Sequence, residues 1–478
     1  MNKTLSIASR TLPIAAALVA FPATAQQVPN AQPDRAVSAQ DRFYTSDQFS
    51  NTVSVIDPST NTLLGVIKLG DPTPANLSPL YRGQLLVHGM GFSPDRRTLA
   101  VVSIGSNSVS FIDTATNAVK HTAYVGRSPH EAFFRPDGRE VWVSVRGEDY
   151  IAVLDGTTFK ETGRIAVPNG PGMTIFSPDG KYGYVCSSFS PETVVIDTRS
   201  KRIVGRVKQD SPFCPDIAAT PDGKQVWLTL KDVGRVMVFD AKPPFAVLKT
   251  IDTGPITNHV NIARTPKGQF AYVTVGTQNI VRVFRTDDFS EIASVPVGAL
   301  PHGLWPSGDG SRMYVGLEND DAVAVIDTAT NKVIATIPIG QGPQGVAYVP
   351  GAVPSGQGLD NLVPLAKAQG KVQVVLEGQG QSQVSLFDQG QVQILQAAVA
   401  GLAPKQTFTL GLAARQDGTG TDEPLAKFMT NPAGAAIVNA VGPIRQIVKD
   451  AAPAERRFLV IRSGAPDEAG AVVQRQKP

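Results

Sequence analysis

Four of the five histidines in this sequence stand at recurring places. His88, His130 and His302 each lie six residues before a turn-forming Pro94, Pro136 or Gly308, and His259 lies seven before Pro266. Gln344 lies six before Pro350 and adds a further nitrogen or oxygen donor. Imidazoles that converge from separate strands suit a transition metal, with Cu and Fe the ions of most interest for redox chemistry. Such an ion needs three or four donors at about 2.0–2.1 Å from one point. Glu131, Arg146 and Arg82 carry charge in the same neighbourhoods and suit an anionic ligand. The competing reading of each histidine is structural: an imidazole that bonds a neighbouring loop. The only two cysteines, Cys186 and Cys214, form no C-x-x-C, so a thioredoxin-like motif and a c-type haem attachment site are absent. No G-x-S-x-G elbow, Walker loop or H-E-x-x-H occurs either.

Those residues need a scaffold, and an internal repeat supplies it. HGMGFSPDRRTLAVVS, HEAFFRPDGREVWVSV, GMTIFSPDGKYGYVCS, PDIAATPDGKQVWLTL, VNIARTPKGQFAYVTV and HGLWPSGDGSRMYVGL align in one register. The turn anchors Pro94, Pro136, Pro178, Pro221, Pro266, Gly308 and Pro350 are 42, 42, 43, 45, 42 and 42 residues apart. A short apolar strand precedes each turn, and alternating strands follow it. A third strand ends in Asp, as in VSFIDTATNAV, and a fourth follows, as in KVIATIPIG. Four strands in a period of about 40–45 residues predict a β-propeller.

The ends predict closure of the ring. Residues 42–69 read as strands two to four of a unit that lacks a first strand, and 344–350 read as a first strand with no unit after it. Together they make one composite blade, seven in all, and leave no open sheet edge. Segments that enter innermost strands ring one mouth of the channel. The order round that mouth is His259, His302, Gln344, His88 and His130, followed by Gly172 and the Cys214–Pro215 pair. His88, His130 and His302 are expected to share one volume there, with Gln344 between two of them and His259 at the edge. Cys186 ends a second strand and Cys214 enters the next first strand, which predicts a disulfide. Trp142, Trp227 and Trp305 fall in strands and read as blade packing; His121, in a fourth strand, reads as surface.

FYTSDQFSNTVSVIDPSTNTLLGVIKLG, FAYVTVGTQNIVRVF and MYVGLENDDAVAVIDTATNKVIATIPIGQGPQGVAYVP resemble the YVTN repeat family, which includes surface-layer propellers and YncE-like periplasmic propellers. The resemblance spans roughly residues 42–350. It implies a propeller and an exported protein, but no single function, because such folds host unrelated roles. Pro306-Ser307-Gly308-Asp309-Gly310 and Thr265-Pro266-Lys267-Gly268 depart from the usual turn.

Outside the repeat, Lys3, Arg10, the apolar run Leu12 to Ala20 and Ala23-Thr24-Ala25 read as a signal peptide cleaved after Ala25. The run is too short for a membrane anchor. A periplasmic or secreted location follows, with no transmembrane segment in the mature chain. A net charge of +3 over 478 residues argues against nucleic acid as a partner. Residues 351–369 read as a linker. Residues 370–478 alternate at period two (KVQVVLEG, QVSLF, QTFTLGLAAR, RRFLVIR) and read as a small β-rich, sandwich-like domain; the Gln-rich run 369–396 reads as strands rather than low complexity.

The function expected is a ligand- or protein-binding module that takes a small molecule, a polymer or a protein at the mouth or rim. The alternatives are a Cu- or Fe-dependent oxidoreductase that uses the histidine arc, and a metal-free lactonase or hydrolase.

Overall fold

A computed structural model describes residues 36–70, 85–366, 372–388, 393–420, 423–442, 455–468 and 470–477, with a few isolated residues between 443 and 454. The leader and Arg82 lie outside the described residues. Seven four-stranded antiparallel sheets form a propeller. Blade one is composite: Pro343–Val349 pairs with Arg42–Asp47, with Phe43 opposite Tyr348, and Thr52–Asp57 and Thr62–Lys68 complete it. Blades two to seven open with the strands Val87–Phe92, Pro129–Phe134, Pro171–Phe176, Ile217–Ala219, Thr257–Thr265 and Pro301–Pro306. Every residue of these innermost strands is buried, apart from the last two of the long blade-six strand.

Side-chain chemistry explains the repeated turn. Ser177 Oγ donates to Asp179 Oδ1 at 2.6 Å and accepts from the Tyr182 N–H at 2.9 Å, while Asp179 Oδ1 accepts from the Lys181 N–H. Gly180 then turns at φ +70°, a conformation glycine adopts without steric cost. Thr220–Asp222 and Ser307–Asp309 repeat the bond at 2.7 and 2.6 Å. In blade six, where Lys267 replaces Asp, the flanking strands instead run on to Thr265 and restart at Gly268.

Blades pack through large side chains and matching gaps. Trp142 is fully buried and donates its indole N–H to Glu140 at 2.9 Å. It lies on Gly183 of the next blade, where a Cβ would fall 2.8 Å from the ring. Phe43 of blade one stacks on Tyr314 of blade seven, centroids 4.6 Å apart, and so seals the ring.

The segment 351–363, which follows the closing strand Pro343–Val349 and reads from the sequence as part of a linker, is docked rather than free. Arg97 donates to the carbonyls of Gly351 and Ala352, Asn117 to those of Gly358 and Asp360, and Val363 bridges Val66. The C-terminal domain is one eight-stranded antiparallel sheet wound round a Leu-rich core. Its end strands, Glu423–Met429 and Ala436–Gly442, lie side by side without pairing, which leaves a nearly closed barrel. The Gln-rich region does form strands, Val372–Gly378, Gly380–Asp388 and Gln393–Val399. The last of these is buried along its whole length, because one face lines the barrel core and the other meets the propeller. Among the described residues no helix is long and apolar enough to cross a membrane.

Candidate binding site at the propeller mouth

The barrel roofs the mouth of the propeller. Ile256 and Leu300 of the propeller pack on Ala398 and Ala435 of the barrel. Phe49 stacks near Phe387, with centroids 4.6 Å apart. Gln396 donates to Glu318 at 2.8 Å, Gln373 to Asp320 at 2.9 Å, and the Ala433 N–H to the Asp232 carbonyl at 3.2 Å. Between floor and roof lies a cavity of about 480 Å³.

Two positions of the repeat build its floor. Six residues before the turn anchor come His88, His130, His302 and Gln344, all lining the cavity and all buried. Ten residues after the anchor, just past each second strand, come Arg146, Lys231 and Glu318, with Gln48 equivalent in the composite blade. Asp232 follows Lys231 into the lining. Asn431, Asn439, Ala435 and Ile437 belong to the roof.

The imidazoles form a row across the mouth. Ring centroids are 4.3 Å apart for His130–His88, 6.2 Å for His88–His302 and 4.4 Å for His302–His259. Two of the three floor histidines are tied to the equivalent residue of the next blade. His130 Nδ1–H donates to the Gly172 carbonyl at 2.9 Å, and His302 Nδ1–H to that of Gln344 at 3.2 Å. These bonds place the proton on Nδ1 and leave Nε2 as an acceptor. His88 sits beside the His130 carbonyl, but its buried Nδ1 completes no hydrogen bond. Burial holds His88 and His259 down to about 3, and His130 and His302 well below the ordinary imidazole range. The positive charge of Arg146 lowers His88 and His130 further, and that of Lys231 lowers His88, His259 and His302.

Hydroxyls hold these segments in place from the neighbouring second strand. Ser46 Oγ donates to the His88 carbonyl, Thr274 Oγ1 to that of His302 at 2.8 Å, and Thr229 Oγ1 to that of Asn258 at 2.7 Å. At the matching place in blade four stands Cys186, which is joined by a disulfide to Cys214 of blade five.

A second, smaller cavity lies deeper in the channel, about 30 Å³, lined by Glu131, Asp216 and His259 among apolar side chains. Glu131 and His259 therefore belong to this lower layer, while Gln344 and Arg146 line the upper one. Burial raises both carboxyls, Asp216 to about 8 and Glu131 well above its ordinary range, and the charge of Asp216 adds to the shift of Glu131. Asp216 accepts from the Val260 N–H at 2.7 Å. Its 3.7 Å approach to His259 Nδ1 is a neutral acid–imidazole pair, since burial keeps the acid protonated and the imidazole bare.

His88, His130 and Glu131 offer ligand atoms that all lie within 4.8 Å of one another. His302 does not join this set, because it stands across the mouth from His130. Lys231, Glu318 and Asp216 were not singled out from the sequence. The position ten residues past each anchor carries a signal that finds the first two: Arg146, Lys231 and Glu318 are large charged residues at a place otherwise held by Ile104, Ser188 and Gly276.

The fold is shared with known proteins. A functionally unknown protein from Desulfotomaculum acetoxidans DSM 771 aligns with a TM-score of 0.54 at 15% identity, over 64% of this chain and 98% of its own. Kuenenia stuttgartiensis hydrazine synthase aligns with a TM-score of 0.49 at 22% identity, over 54% of this chain and 88% of its own. No curated protein matches the chain. Residues 6–353 match the YNCE-like beta-propeller family, and the chain belongs to that family.

Proposed function

We propose that this is an exported binding module that holds a small molecule between the propeller mouth and the barrel. The observation that carries the proposal is the cavity of about 480 Å³, floored by two repeat positions and roofed by a second domain. Its size is within the range of small-molecule sites, and sites of that kind favour the junction of two domains. The cysteine pair and the leader-like N-terminus support an oxidising location outside the cytoplasm.

A Cu- or Fe-dependent oxidoreductase is the second reading, favoured by the grouping of His88, His130 and Glu131. Two cations, Arg146 and Lys231, act on those imidazoles and oppose a metal ion there. The described residues of the lining include no Ser, Thr or Cys, so a hydrolase of the acyl-serine or acyl-cysteine kind finds no nucleophile there.

The test is capture of ligands from a cell extract, read by native mass spectrometry of the full chain. Asn439 is exposed yet lines the roof, so Asn439→Trp fills the cavity at little cost to the fold. The wild type should carry a small molecule that the variant has lost. Equal loading of both proteins would end the proposal, and a stoichiometric Cu or Fe in the wild type would favour the second reading.

A further inference from the structure

The polar groups of the cavity are unevenly provided for. Its two carboxylates are engaged by the barrel: Glu318 accepts from Gln396, and Asp232 from the side chain of Asn431. The two cations make no such contact, although the charges of Glu318 and Asp232 act on Lys231. Among the described residues neither Arg146 nor Lys231 forms a salt bridge or donates a side-chain hydrogen bond. Arg146 lies between two aromatic rings instead, 5.2 Å from the Phe213 centroid and 5.5 Å from that of Phe189, and Lys231 stands 5.9 Å from Phe213. A guanidinium held by ring faces keeps its planar fork of donors free for a carboxylate. Opposite these donors stand acceptors without donors. His130 and His302 spend their Nδ1 protons on backbone carbonyls, so their Nε2 atoms offer lone pairs with no partner among the described residues.

A molecule that satisfies both sets must bring a negative charge for Arg146 and Lys231 and hydrogen-bond donors for the imidazoles. We infer that the cavity binds a small hydroxylated carboxylic acid, its carboxylate on Arg146 and Lys231 and its hydroxyls on Nε2 of His130 and His302. The inference rests on the reading of this cavity as a ligand site and names the ligand's chemistry. A bare divalent cation would leave the two cations unanswered and add repulsion to them. An inorganic anion such as phosphate would answer the cations but brings too few and too closely spaced hydroxyls to reach both imidazole acceptors, which line the cavity on either side of His88.

The experiment is isothermal titration of the full chain with four probes: gluconate, sorbitol, hexanoate and inorganic phosphate. Gluconate carries both charge and hydroxyls, sorbitol only hydroxyls, hexanoate only charge, and phosphate a charge without a polyol. Gluconate should bind at least about 10-fold more tightly than each of the others, one charge-assisted hydrogen bond being worth that much or more. Arg146→Gln and Lys231→Met should each weaken gluconate by roughly 10–100-fold, with melting temperatures checked against the wild type. His302→Phe should weaken gluconate and leave hexanoate unchanged, which a merely structural histidine would not do. Phosphate or hexanoate binding as tightly as gluconate, or no binding by gluconate, overturns the inference. A neutral molecule captured by the wild type and lost in Asn439→Trp would also overturn it, while the cavity would stand as a ligand site.

Discussion

Adjacent blades of this propeller are joined at one recurring place, the end of a second strand against the segment that enters the next innermost strand. Between blades one and two the joint is Ser46 donating to the His88 carbonyl, and between blades six and seven it is Thr274 donating to that of His302. Between blades four and five the residue at that place is Cys186, and the joint is a disulfide to Cys214. The hydroxyl joints hold carbonyls, so they leave the histidine rings free to face the mouth. The covalent joint puts no polar side chain of its entering segment at the mouth: that segment offers Phe213 and Pro215 to the cavity, and its innermost strand shortens to Ile217–Ala219. One part of the ring is thus built to present side chains, and the other to hold the ring together.

The comparison breaks most severely at the joint where chain ends meet. Blade one depends on Pro343–Val349 pairing with Arg42–Asp47, with no covalent link across it. Removing residues 344–350, or 42–69, strips a blade of its partners and exposes a sheet edge. Both deletions should abolish soluble, folded protein, measured as monomer recovered by gel filtration. Truncation after Lys367 should leave a folded propeller, because the docked segment up to Val363 is retained. Its melting point should fall, since Phe49, Ile256 and Leu300 lose their cover. A folded 42–69 deletion would show that the ring does not need its composite blade.

The second test exchanges one kind of joint for the other. The disulfide closes a loop of 28 residues, and its loss should cost about 2–4 kcal/mol. Cys186→Thr with Cys214→Ala places a hydroxyl where the other junctions have one. It should lose that amount less the worth of one hydrogen bond, about 1 kcal/mol. Thr229→Val, at the hydroxyl joint between blades five and six, should cost only about 1–2 kcal/mol because it strands one buried carbonyl, that of Asn258. Urea midpoints under oxidising conditions measure all three. Equal costs for the two kinds of joint would remove the distinction between them.

These joints also show how far the sequence could be read. The propeller was legible because its turn chemistry recurs: Ser177–Asp179–Gly180 and its equivalents need particular side chains, so the period survives in the letters. The histidines stood out because the residue is rare in this chain. Lys231 and Glu318 occupy an equally regular position, yet charged residues are common on loops and carry no mark of being enclosed. What encloses them is the barrel, and docking of one domain on another leaves no period. Gln373 and Gln396 looked like strand residues in a Gln-rich run; that they bond Asp320 and Glu318 follows only from where the barrel sits. The coiling of eight strands into one nearly closed sheet was likewise beyond the alternation pattern, which gives each strand's faces and not the sheet's curvature.

The smallest expected effect separates the lower layer of the channel from the upper one by pH. Asp216 stands beside the disulfide joint, and burial raises it from 3.8 to about 8. In the folded protein it keeps its proton over a range where the unfolded chain has lost it, so the folded state binds more protons and stability falls as pH rises through that window. The buried histidines act in the opposite sense. His88 and His259 are lowered from 6.5 to about 3, so the unfolded chain binds the extra protons, and stability rises as pH climbs toward 6.5. Above 6.5 the imidazoles of both states are neutral and their contribution is complete, while that of Asp216 continues to fall until about 8. Asp216→Asn removes only the contribution of Asp216. Between pH 6.5 and 8 the wild type should therefore lose about 1–2 kcal/mol relative to Asp216→Asn, the fraction of a full proton's worth expected for a coupled buried acid. Below 6.5 both proteins should lose stability as the histidines of the unfolded chain take up protons, the wild type less steeply because the proton held by Asp216 offsets one of them. Denaturant melts of the two proteins at matched pH measure the gap, and a gap that stays constant from 6.5 to 8 would mean that Asp216 is ionised in the fold. The lower layer would then hold a charge against His259, and the neutral pair assigned to it would be an ion pair.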